Sequence, residues 1–357
     1  MTMLLTDLQP GEWRKIYLPE ASCAFDGDYC FHVRRGDASR LMIYLCGGGV
    51  SWDRDSAKWP SVPETAEKYG HVGLYTVCAD TRPEVMSITT GAESGFHSTT
   101  EENPLCGWSE IMIPYATGDF HTGTGDLTFT AADGSERVLH HHGYLNLQKI
   151  LKIARELFPS VERLFICGES AGAFGTAALA GDIMDAFPEC DDVTILADSA
   201  LMSYDWSDSA RHIWQSPPHI ADAVRTENMV TDWFRAVYAK YGDKPRYLFS
   251  CGCRDHILIM FRVYAETGIF TIDPAHCEEF RGNLAAMCRE LKALTPKFSF
   301  YIHDFMAAEL APGVLHCSFA NGFYTHGRID GVSPKEWLED AMNGKLYDVG
   351  MGLLEGK

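Results

Sequence analysis

One serine stands in a sequence context that is typical of a nucleophile. Four apolar residues at 164–167 run into Gly-Glu-Ser-Ala-Gly at 168–172, and a stretch of small residues follows. A strand that turns sharply into a helix through Gly-x-Ser-x-Gly is a nucleophile elbow, because only small residues fit two positions before and after the serine. Such a turn would present the Ser170 hydroxyl beside a helix N-terminus, whose partial positive charge favours a developing oxyanion. The alternative is a tight strand–helix turn in which Ser170 only caps the helix.

A serine nucleophile needs a general base and an acid that orients the base, and two aspartates are candidates for the acid. Asp255 lies on the loop after the apolar run Tyr247–Cys251, and we expect it to be the acid. Asp198 closes the run Val193–Ala197, one strand earlier, and is the alternative. The aspartate that is not used would be an ordinary loop residue.

The general base should follow the last strand of such a sheet. His316 lies on the loop after the apolar run Phe298–His303 and is the expected base. His303, at the end of that run, and His326, ten residues beyond His316, are the alternatives. The resulting order of serine, aspartate and histidine along the chain is that of α/β-hydrolases.

Three consecutive glycines directly follow the apolar run Leu41–Cys46. Because glycine has no side chain, these N–H groups can approach a substrate oxygen closely. We therefore expect the amides of Gly48, Gly49 and Ala171 to form an oxyanion hole. A dinucleotide-binding loop is disfavoured, since the next residues, Val-Ser-Trp, break the Gly-x-Gly-x-x-Gly spacing.

The elements that must position these residues are apolar runs that alternate with helical patterns. Helices are predicted over Tyr144–Phe158, which Pro159 ends, and over Ala171–Phe187. This alternation indicates an α/β protein with a mostly parallel central sheet flanked by helices. Asp133-Gly134 predicts a peripheral hairpin. Buried strands are predicted at Leu41–Cys46, Val72–Ala79, Arg163–Cys167, Val193–Ala197, Tyr247–Cys251 and Phe298–His303.

The length of 357 residues suits one large domain or two modest ones. Residues 203–244 contain three tryptophans and a Pro-Pro pair but no buried-strand run, which favours a helical cap over one edge of the sheet. We therefore expect a single α/β-hydrolase domain over 1–357, with 203–244 as a cap insertion within it.

The net charge of −19 limits the class of partner. Such a charge repels polyanions at long range, so neither nucleic acid nor an anionic membrane is an expected partner. The longest apolar run has six residues, whereas a membrane-spanning helix needs ~20. The segment Met1–Asp7 has no signal-peptide pattern, which predicts a cytoplasmic protein in which most of the 12 cysteines are reduced.

Residues 140–142 are three histidines in a row, a composition that raises the question of metal binding. Consecutive residues of a strand point to opposite faces, so the three rings cannot all converge on one ion. We expect neither a metal nor a cofactor.

Four segments together resemble the pectinacetylesterase family. They are YLCGGG at 44–49, IPYATGDFHTG at 113–123, HGYLNLQ at 142–148 and GESAG at 168–172, and the likeness extends over roughly 41–317. The Thr-Gly-Asp-x-His-x-Gly block is the most distinctive of them, since many hydrolases share the elbow.

The resemblance implies an α/β-hydrolase fold and hydrolysis of a carboxylic ester without a metal. Asp119 and His121, in the distinctive block, would support loops near the site. The site residues that it implies are Ser170, Asp255 and His316 as the catalytic triad, with Gly48, Gly49 and Ala171 around the oxyanion.

The expected function is that of a serine carboxylic-ester hydrolase, a deacetylase or deacylase that forms an acyl-enzyme on small acyl esters of a carbohydrate. Extracellular pectin is not the expected substrate, because a chain of charge −19 repels polygalacturonate and Val50 follows the glycines where secreted relatives have an aromatic residue. The alternatives are a catalytically silent α/β-hydrolase scaffold that binds a ligand or a protein, and an acyltransferase.

Overall fold

The structure, a computed structural model, describes residues 7–25, 27–78, 95–306 and 308–355. Within these residues the strands are β1 (Trp13–Ser22), β2 (Asp28–Arg34), β3 (Asp37–Leu45), β4 (Trp108–Ile113), β5 (Gly125–Thr130), β6 (Glu136–His141), β7 (Arg163–Glu169), β8 (Asp192–Asp198), β9 (Arg246–Gly252) and β10 (Ser299–His303). The helices are α1 (Pro63–Tyr69), α2 (Gly143–Leu157), α3 (Ala171–Ala186), α4 (Pro218–Ala221), α5 (Met229–Tyr241), α6 (His256–Thr267), α7 (Pro274–Leu294), α8 (Phe323–His326) and α9 (Pro334–Met342). Single 3₁₀ turns lie at Ser56–Lys58, Ala308–Leu310 and Met351–Leu354, and a π-helical turn lies at Ser209–Ile213.

Eight of these strands form one sheet in the order β1-β2-β4-β3-β7-β8-β9-β10, and β5 and β6 pair as a separate hairpin. Strand β2 runs antiparallel to both of its neighbours, β1 and β4. All the other neighbouring pairs, from β4 to β10, are parallel. The predicted α/β class, with a mostly parallel central sheet and flanking helices, is therefore confirmed.

The central strands are buried, and helices flank the sheet. In β3, residues 41–45 expose at most 1% of their surface, as expected for a parallel strand with an uninterrupted apolar run. The small residues of α3 let that helix pack closely against β7 and β8. The parallel strands end at one edge, so the loops after β3, β7, β9 and β10 meet there.

The segment Val72–Ala79 is not the strand that its apolar pattern predicts. Residue 79 lies outside the described residues, and residues 71–78 contain no strand; Tyr75 makes only isolated bridges, to Gly49 and Pro60. This segment therefore lies beside the loop after β3 instead of entering the sheet.

The neighbour of β3 in the sheet, on the side away from β7, is β4, which was not among the predicted strands. Its sequence, WSEIMI, has a glutamate near its centre, so it lacks the uninterrupted apolar run that predicts a buried strand. Glu110 is fully buried and is paired with Arg34 at 2.7 Å and with His97 at 2.5 Å. These partners let a charged residue occupy a central strand, since a buried charge is tolerated only when it is paired.

Residues 203–244, the predicted cap, divide into two parts. Helix α5 connects the adjacent parallel strands β8 and β9, and it packs against α3 and α7 as a sheet-flanking crossover helix. The part before α5 lies against the loop after β3, where Trp214 Nε1 donates a hydrogen bond to the Ser51 carbonyl at 2.6 Å. The cap insertion over 203–244 stays a prediction, and within it α5 packs as a helix that flanks the sheet.

Among the described residues, no helix combines the length and the apolar character that a membrane span requires. Residues 1–6, which contribute to the prediction about a signal peptide, lie outside the described residues. No two cysteines of the described chain form a disulfide.

Candidate active site

Ser170 occupies a strained turn between β7 and α3. Its φ is +52° and its ψ is −126°, a conformation that L-residues with a side chain rarely adopt. The backbone N–H of Ser170 donates to the Asp198 carbonyl at 2.9 Å, which ties the turn to the end of β8. The turn thus has the backbone form that the Gly-x-Ser-x-Gly pattern predicts.

The two glycines of the pentapeptide make this turn sterically possible. A Cβ at Gly172 would lie 1.9 Å from the Leu45 carbonyl oxygen, and a Cβ at Gly168 would lie 2.4 Å from the Gly172 oxygen. Both contacts are with backbone, which cannot move aside without displacing the sheet. The requirement for small residues at these two positions therefore comes from close approach to the end of β3.

Asp255 and His316, which are 61 residues apart in the chain, are in direct contact. His316 Nδ1 lies 2.9 Å from Oδ1 and 2.8 Å from Oδ2 of the aspartate. Asp255 is fully buried and caps α6, where its Oδ1 accepts a hydrogen bond from the Leu258 N–H at 3.1 Å. A parallel bridge between Asp255 and Val314 brings the two loops together. The carboxylate therefore fixes the ring so that Nδ1 faces it.

The other ring nitrogen of His316 is Nε2. Nε2 is buried and, among the described residues, has no hydrogen-bond partner, while His316 and Ser170 line the same cavity. Burial disfavours the charged ring, but the nearby Asp255 carboxylate outweighs it, so the pKa of His316 is raised above its usual value. This pair can accept a proton at Nε2 and stabilise the resulting imidazolium.

Asp198 has a different position from Asp255. Its Oδ2 accepts hydrogen bonds from the N–H groups of Ser318 (2.8 Å) and Phe319 (3.1 Å), just beyond His316. Burial raises the pKa of this carboxyl to about 7, although the two N–H donors oppose the shift. Asp198 thus anchors the loop that carries the histidine and makes no hydrogen bond to the ring itself.

The two alternative histidines lack an acid partner in this structure. His303 is buried, neither of its ring nitrogens has a partner among the described residues, and its ring stacks on Phe305. Burial lowers the pKa of His303 to about 4, so the ring is neutral at pH 7. His326 is exposed at the rim of the cavity, with no acid partner among the ion pairs of the described chain. Only His316, of the three, has the hydrogen bond to a carboxylate that a triad base requires.

Of the three consecutive glycines after β3, Gly47 is the one nearest to Ser170. A Cβ at Gly47 would lie 2.7 Å from Ser170 Cβ and 3.4 Å from the Ala171 nitrogen. The backbones of Gly48 and Gly49 pair instead with the segment at 74–76, since the Gly48 carbonyl accepts from Thr76 N–H and Gly49 bridges Tyr75. Gly47 lines the cavity, and Gly48 and Gly49 are not among the lining residues. Gly47 is therefore the closest of the three to the Ser170 side chain, and the oxyanion hole at Gly48, Gly49 and Ala171 stays a prediction.

A cavity of about 710 Å³ opens beside Ser170 and His316. Its far wall comes from the loop after β10 and from α8. None of the lining residues belongs to 203–244, so that segment does not cover this cavity. The lining residues are Gly47, Glu169, Ser170, Leu315, His316, Cys317, Ala320, Asn321, Gly322, Phe323, His326 and Gly327.

The Thr-Gly-Asp-x-His-x-Gly block contacts the start of the glycine loop after β3. His121 Nε2 lies 2.9 Å from the Cys46 carbonyl oxygen, and because a carbonyl only accepts, this nitrogen carries the proton. Buried Asp119 holds the block together by accepting from Thr117 Oγ1 (2.7 Å) and from the N–H groups of His121 (3.0 Å) and Gly143 (2.8 Å). His121 thereby fixes the residue directly before Gly47, a contact that the sequence did not reveal.

No protein-family model matches this chain, and no curated protein matches it. The likeness to pectinacetylesterases therefore rests on the four sequence segments.

Proposed function

We propose that this protein is a serine carboxylic-ester hydrolase. The observation that carries the proposal is the hydrogen bond between Asp255 and His316 Nδ1, with Nε2 unpartnered in the cavity that Ser170 lines. An oriented imidazole next to a serine on a strained strand–helix turn is the arrangement that activates a hydroxyl for acyl transfer.

In the proposed reaction, Ser170 Oγ attacks the ester carbonyl while His316 Nε2 takes its proton. The Asp255 carboxylate stabilises the imidazolium, which then gives the proton to the departing alcohol and leaves an acyl-serine. Water attacks this acyl-enzyme with His316 again as base, and the acid leaves. His316 Nε2 has no partner in the described residues, so its hydrogen bond to Ser170 Oγ is not formed in the free protein. Catalytic hydrogen bonds are often long before substrate binds, and we expect this one to shorten in the complex.

The developing oxyanion needs two N–H donors. The Ala171 amide is the first of α3, a position whose N–H has no acceptor within its own helix. Gly47 lies close to this amide, since a Cβ at Gly47 would be 3.4 Å from the Ala171 nitrogen, and His121 contacts the preceding Cys46 carbonyl. We propose that Ala171 and the Gly47–Gly49 segment supply the donors, which keeps the predicted Gly48 and Gly49 and adds Gly47.

The position of Ser170 supports assignment to the α/β-hydrolase fold. The eight-stranded sheet is parallel except for its second strand, β2. In α/β-hydrolases the nucleophile lies on a sharp strand-to-helix turn at the top of the sheet, and Ser170 lies on such a turn between β7 and α3.

The substrate that we propose is a small acyl ester of a carbohydrate or another small alcohol. The cavity is within the range of ligand sites, and its apolar members, such as Leu315 and Phe323, suit the acyl part. Its polar members, such as Asn321 and Glu169, suit hydroxyl groups of the alcohol part.

Labelling by a fluorophosphonate probe tests the nucleophile directly. The wild-type protein should be labelled and should hydrolyse p-nitrophenyl acetate, and Ser170→Ala should lose both properties while its thermal midpoint stays unchanged. Ser207→Ala, at a surface serine that bonds Asp205, is the control and should behave as wild type. A wild-type protein that is neither labelled nor active would contradict the proposal and favour a silent scaffold.

An ester panel then identifies the substrate. It should vary the acyl chain from acetyl upward and include acetylated sugars and pectin. Added alcohols should not yield new esters, because their appearance would indicate an acyltransferase instead.

A further inference from the structure

His140 and His142 point to the same face of the β5–β6 hairpin. Both contact an aspartate of the neighbouring strand. Asp126 of β5 is directly opposite His140 in the register of the hairpin. Oδ1 of Asp126 lies 2.6 Å from His140 Nδ1 and 2.9 Å from His142 Nε2. His141, between them, points to the other face, where its Nδ1 bonds the Thr117 carbonyl at 2.9 Å.

From this geometry we propose that Asp126, His140 and His142 form a binding site for a divalent transition metal ion of the zinc type. Two imidazole nitrogens and one carboxylate oxygen are a ligand set that Zn²⁺ prefers, with water completing the tetrahedron. The three ligand atoms lie within 4.8 Å of one another.

Only a small adjustment would bring these atoms to zinc geometry. Ligands at about 2.0–2.2 Å from one tetrahedral ion are about 3.3 Å apart, so the contacts to Asp126 would lengthen slightly and the two histidine nitrogens would approach each other by at most about 1.5 Å. The side chains can make that shift because they are partly open to solvent, with exposures of 56% for Asp126, 23% for His140 and 22% for His142. The same openness gives an ion from solution access to the site.

A hydrogen bond behind the site orients one of the ligands. Ser22 Oγ, at the end of β1, lies 2.6 Å from His142 Nδ1. With that nitrogen donating its proton to the hydroxyl, Nε2 keeps the free lone pair that binds a metal, which is the outer-shell arrangement typical of metal-bound histidines. Asn146 Nδ2 in turn donates to the Ser22 carbonyl at 2.9 Å, so this support is itself held in place.

A bound ion would tie β5 to β6 at the base of their hairpin. His142 directly precedes Gly143, whose N–H donates to Asp119 in the block that supports the candidate active site. The expected effect is therefore structural, and the proposal does not depend on the hydrolase assignment.

Calorimetric titration of chelator-treated protein with ZnCl₂ is the test. We expect one Zn²⁺ per chain in the wild type and a loss of affinity of at least tenfold in His140→Ala, His142→Ala and Asp126→Asn. Ser22→Ala should weaken binding about 10-fold or more, as outer-shell changes do. At a zinc concentration of about 100 Kd the thermal midpoint should rise by about 3–4 °C.

Two controls separate this site from others. The first control, His219→Ala, removes a surface histidine that pairs with Asp182, away from the proposed site. The second, the double variant Cys78→Ser/Cys106→Ser, removes two thiols outside the buried core. Neither control should change the affinity for zinc. The wild-type Co²⁺ complex should show tetrahedral d–d bands without a thiolate charge-transfer band. Asp126→Asn alters a side chain outside the core and so keeps the test valid if a histidine variant unfolds.

Absence of zinc binding by the wild type would overturn the proposal. So would an affinity that is unchanged in the three ligand variants, or one that falls only when the thiols are removed.

Discussion

Replacing Asp255 by asparagine should lower the rate of catalysis without lowering the stability of the fold. Asparagine keeps the size of the side chain and an oxygen that can accept from Leu258 N–H, so the cap of α6 and the fold are retained. It removes the negative charge that lies 2.8–2.9 Å from His316 Nδ1, and it offers an amide group to the ring instead. The variant should therefore be stable but poorly active.

The magnitude follows from the loss of this charge when His316 becomes an imidazolium. Unit charges about 4 Å apart at an effective dielectric constant of about 20 interact by about 4 kcal/mol, which corresponds to about 10³ in rate. A wrong ring tautomer adds to the loss, and the same change in a serine protease triad lowers kcat by about 10⁴. We expect kcat for p-nitrophenyl acetate to fall by about 10³–10⁴.

Asp198→Asn is the matched control. Its amide oxygen can still accept from Ser318 and Phe319, and removing a buried carboxyl whose pKa burial raises to about 7 should not cost stability at neutral pH. We expect kcat within about threefold of wild type. Steady-state kinetics with thermal midpoints of both variants decide the question, and Asp255→Asn with near-normal kcat, or an equal loss in Asp198→Asn, would refute the assignment of the acid.

Four further predictions concern the site and the sheet. Gly47→Ala should lower kcat by about 10²–10³, because its Cβ would lie 2.7 Å from Ser170 Cβ; unchanged kinetics would place the oxyanion donors elsewhere. The profile of kcat/KM against pH should rise with pH through a midpoint above the usual ~6.5, since Asp255 raises the pKa of His316 and only the neutral ring is a base; a midpoint below 6.5 would contradict this. His121→Phe should reduce kcat more than it raises KM, as a lost positioning contact to Cys46 requires, and an effect confined to the thermal midpoint would make the role purely structural. Glu110→Gln should lower the free energy of unfolding by about 3–5 kcal/mol in urea titrations, because it leaves buried Arg34 without its charge partner, and a loss below 1 kcal/mol would mean that the pair is dispensable.

Elements with strong local patterns could be predicted from the sequence. The runs that became β3, β7, β8, β9 and β10 are apolar because the strands are buried on both faces, and the pattern alone locates them within a few residues. Helix α2 follows the same logic, with a predicted range of Tyr144–Phe158 and an observed range of Gly143–Leu157. The hairpin at Asp133-Gly134 is confirmed by the antiparallel pairing of β5 and β6.

Features that depend on distant partners could not be predicted in this way. Glu110 makes β4 look polar, and only the positions of Arg34 and His97 explain why it can be buried. Val72–Ala79 looks like a strand, but Tyr75, in its described part, makes only isolated bridges to two loops. The role of α5 depends on which strands lie side by side.

In the candidate site too, features with local patterns could be predicted and features that depend on distant residues could not. The serine could be located because the elbow is a local pattern with local steric demands. Asp198 and Asp255 both follow buried strands, and only the loop pairing at Val314 shows which one reaches the ring of His316. The closeness of Gly47 to Ser170 was not foreseen, because it depends on the turn after β3, where Gly49 has a φ of +78°. The contact of Asp126 with the histidines was missed because it depends on the register of the hairpin.

Asp198 holds two parts of the site at once. Its main-chain oxygen receives the Ser170 N–H, and its carboxylate receives the N–H groups just after His316. One residue at the tip of β8 therefore links the turn that carries the nucleophile to the loop that carries the base. A displacement of β8 at this tip would move both groups, so this end of the strand must stay rigid for the two to remain aligned.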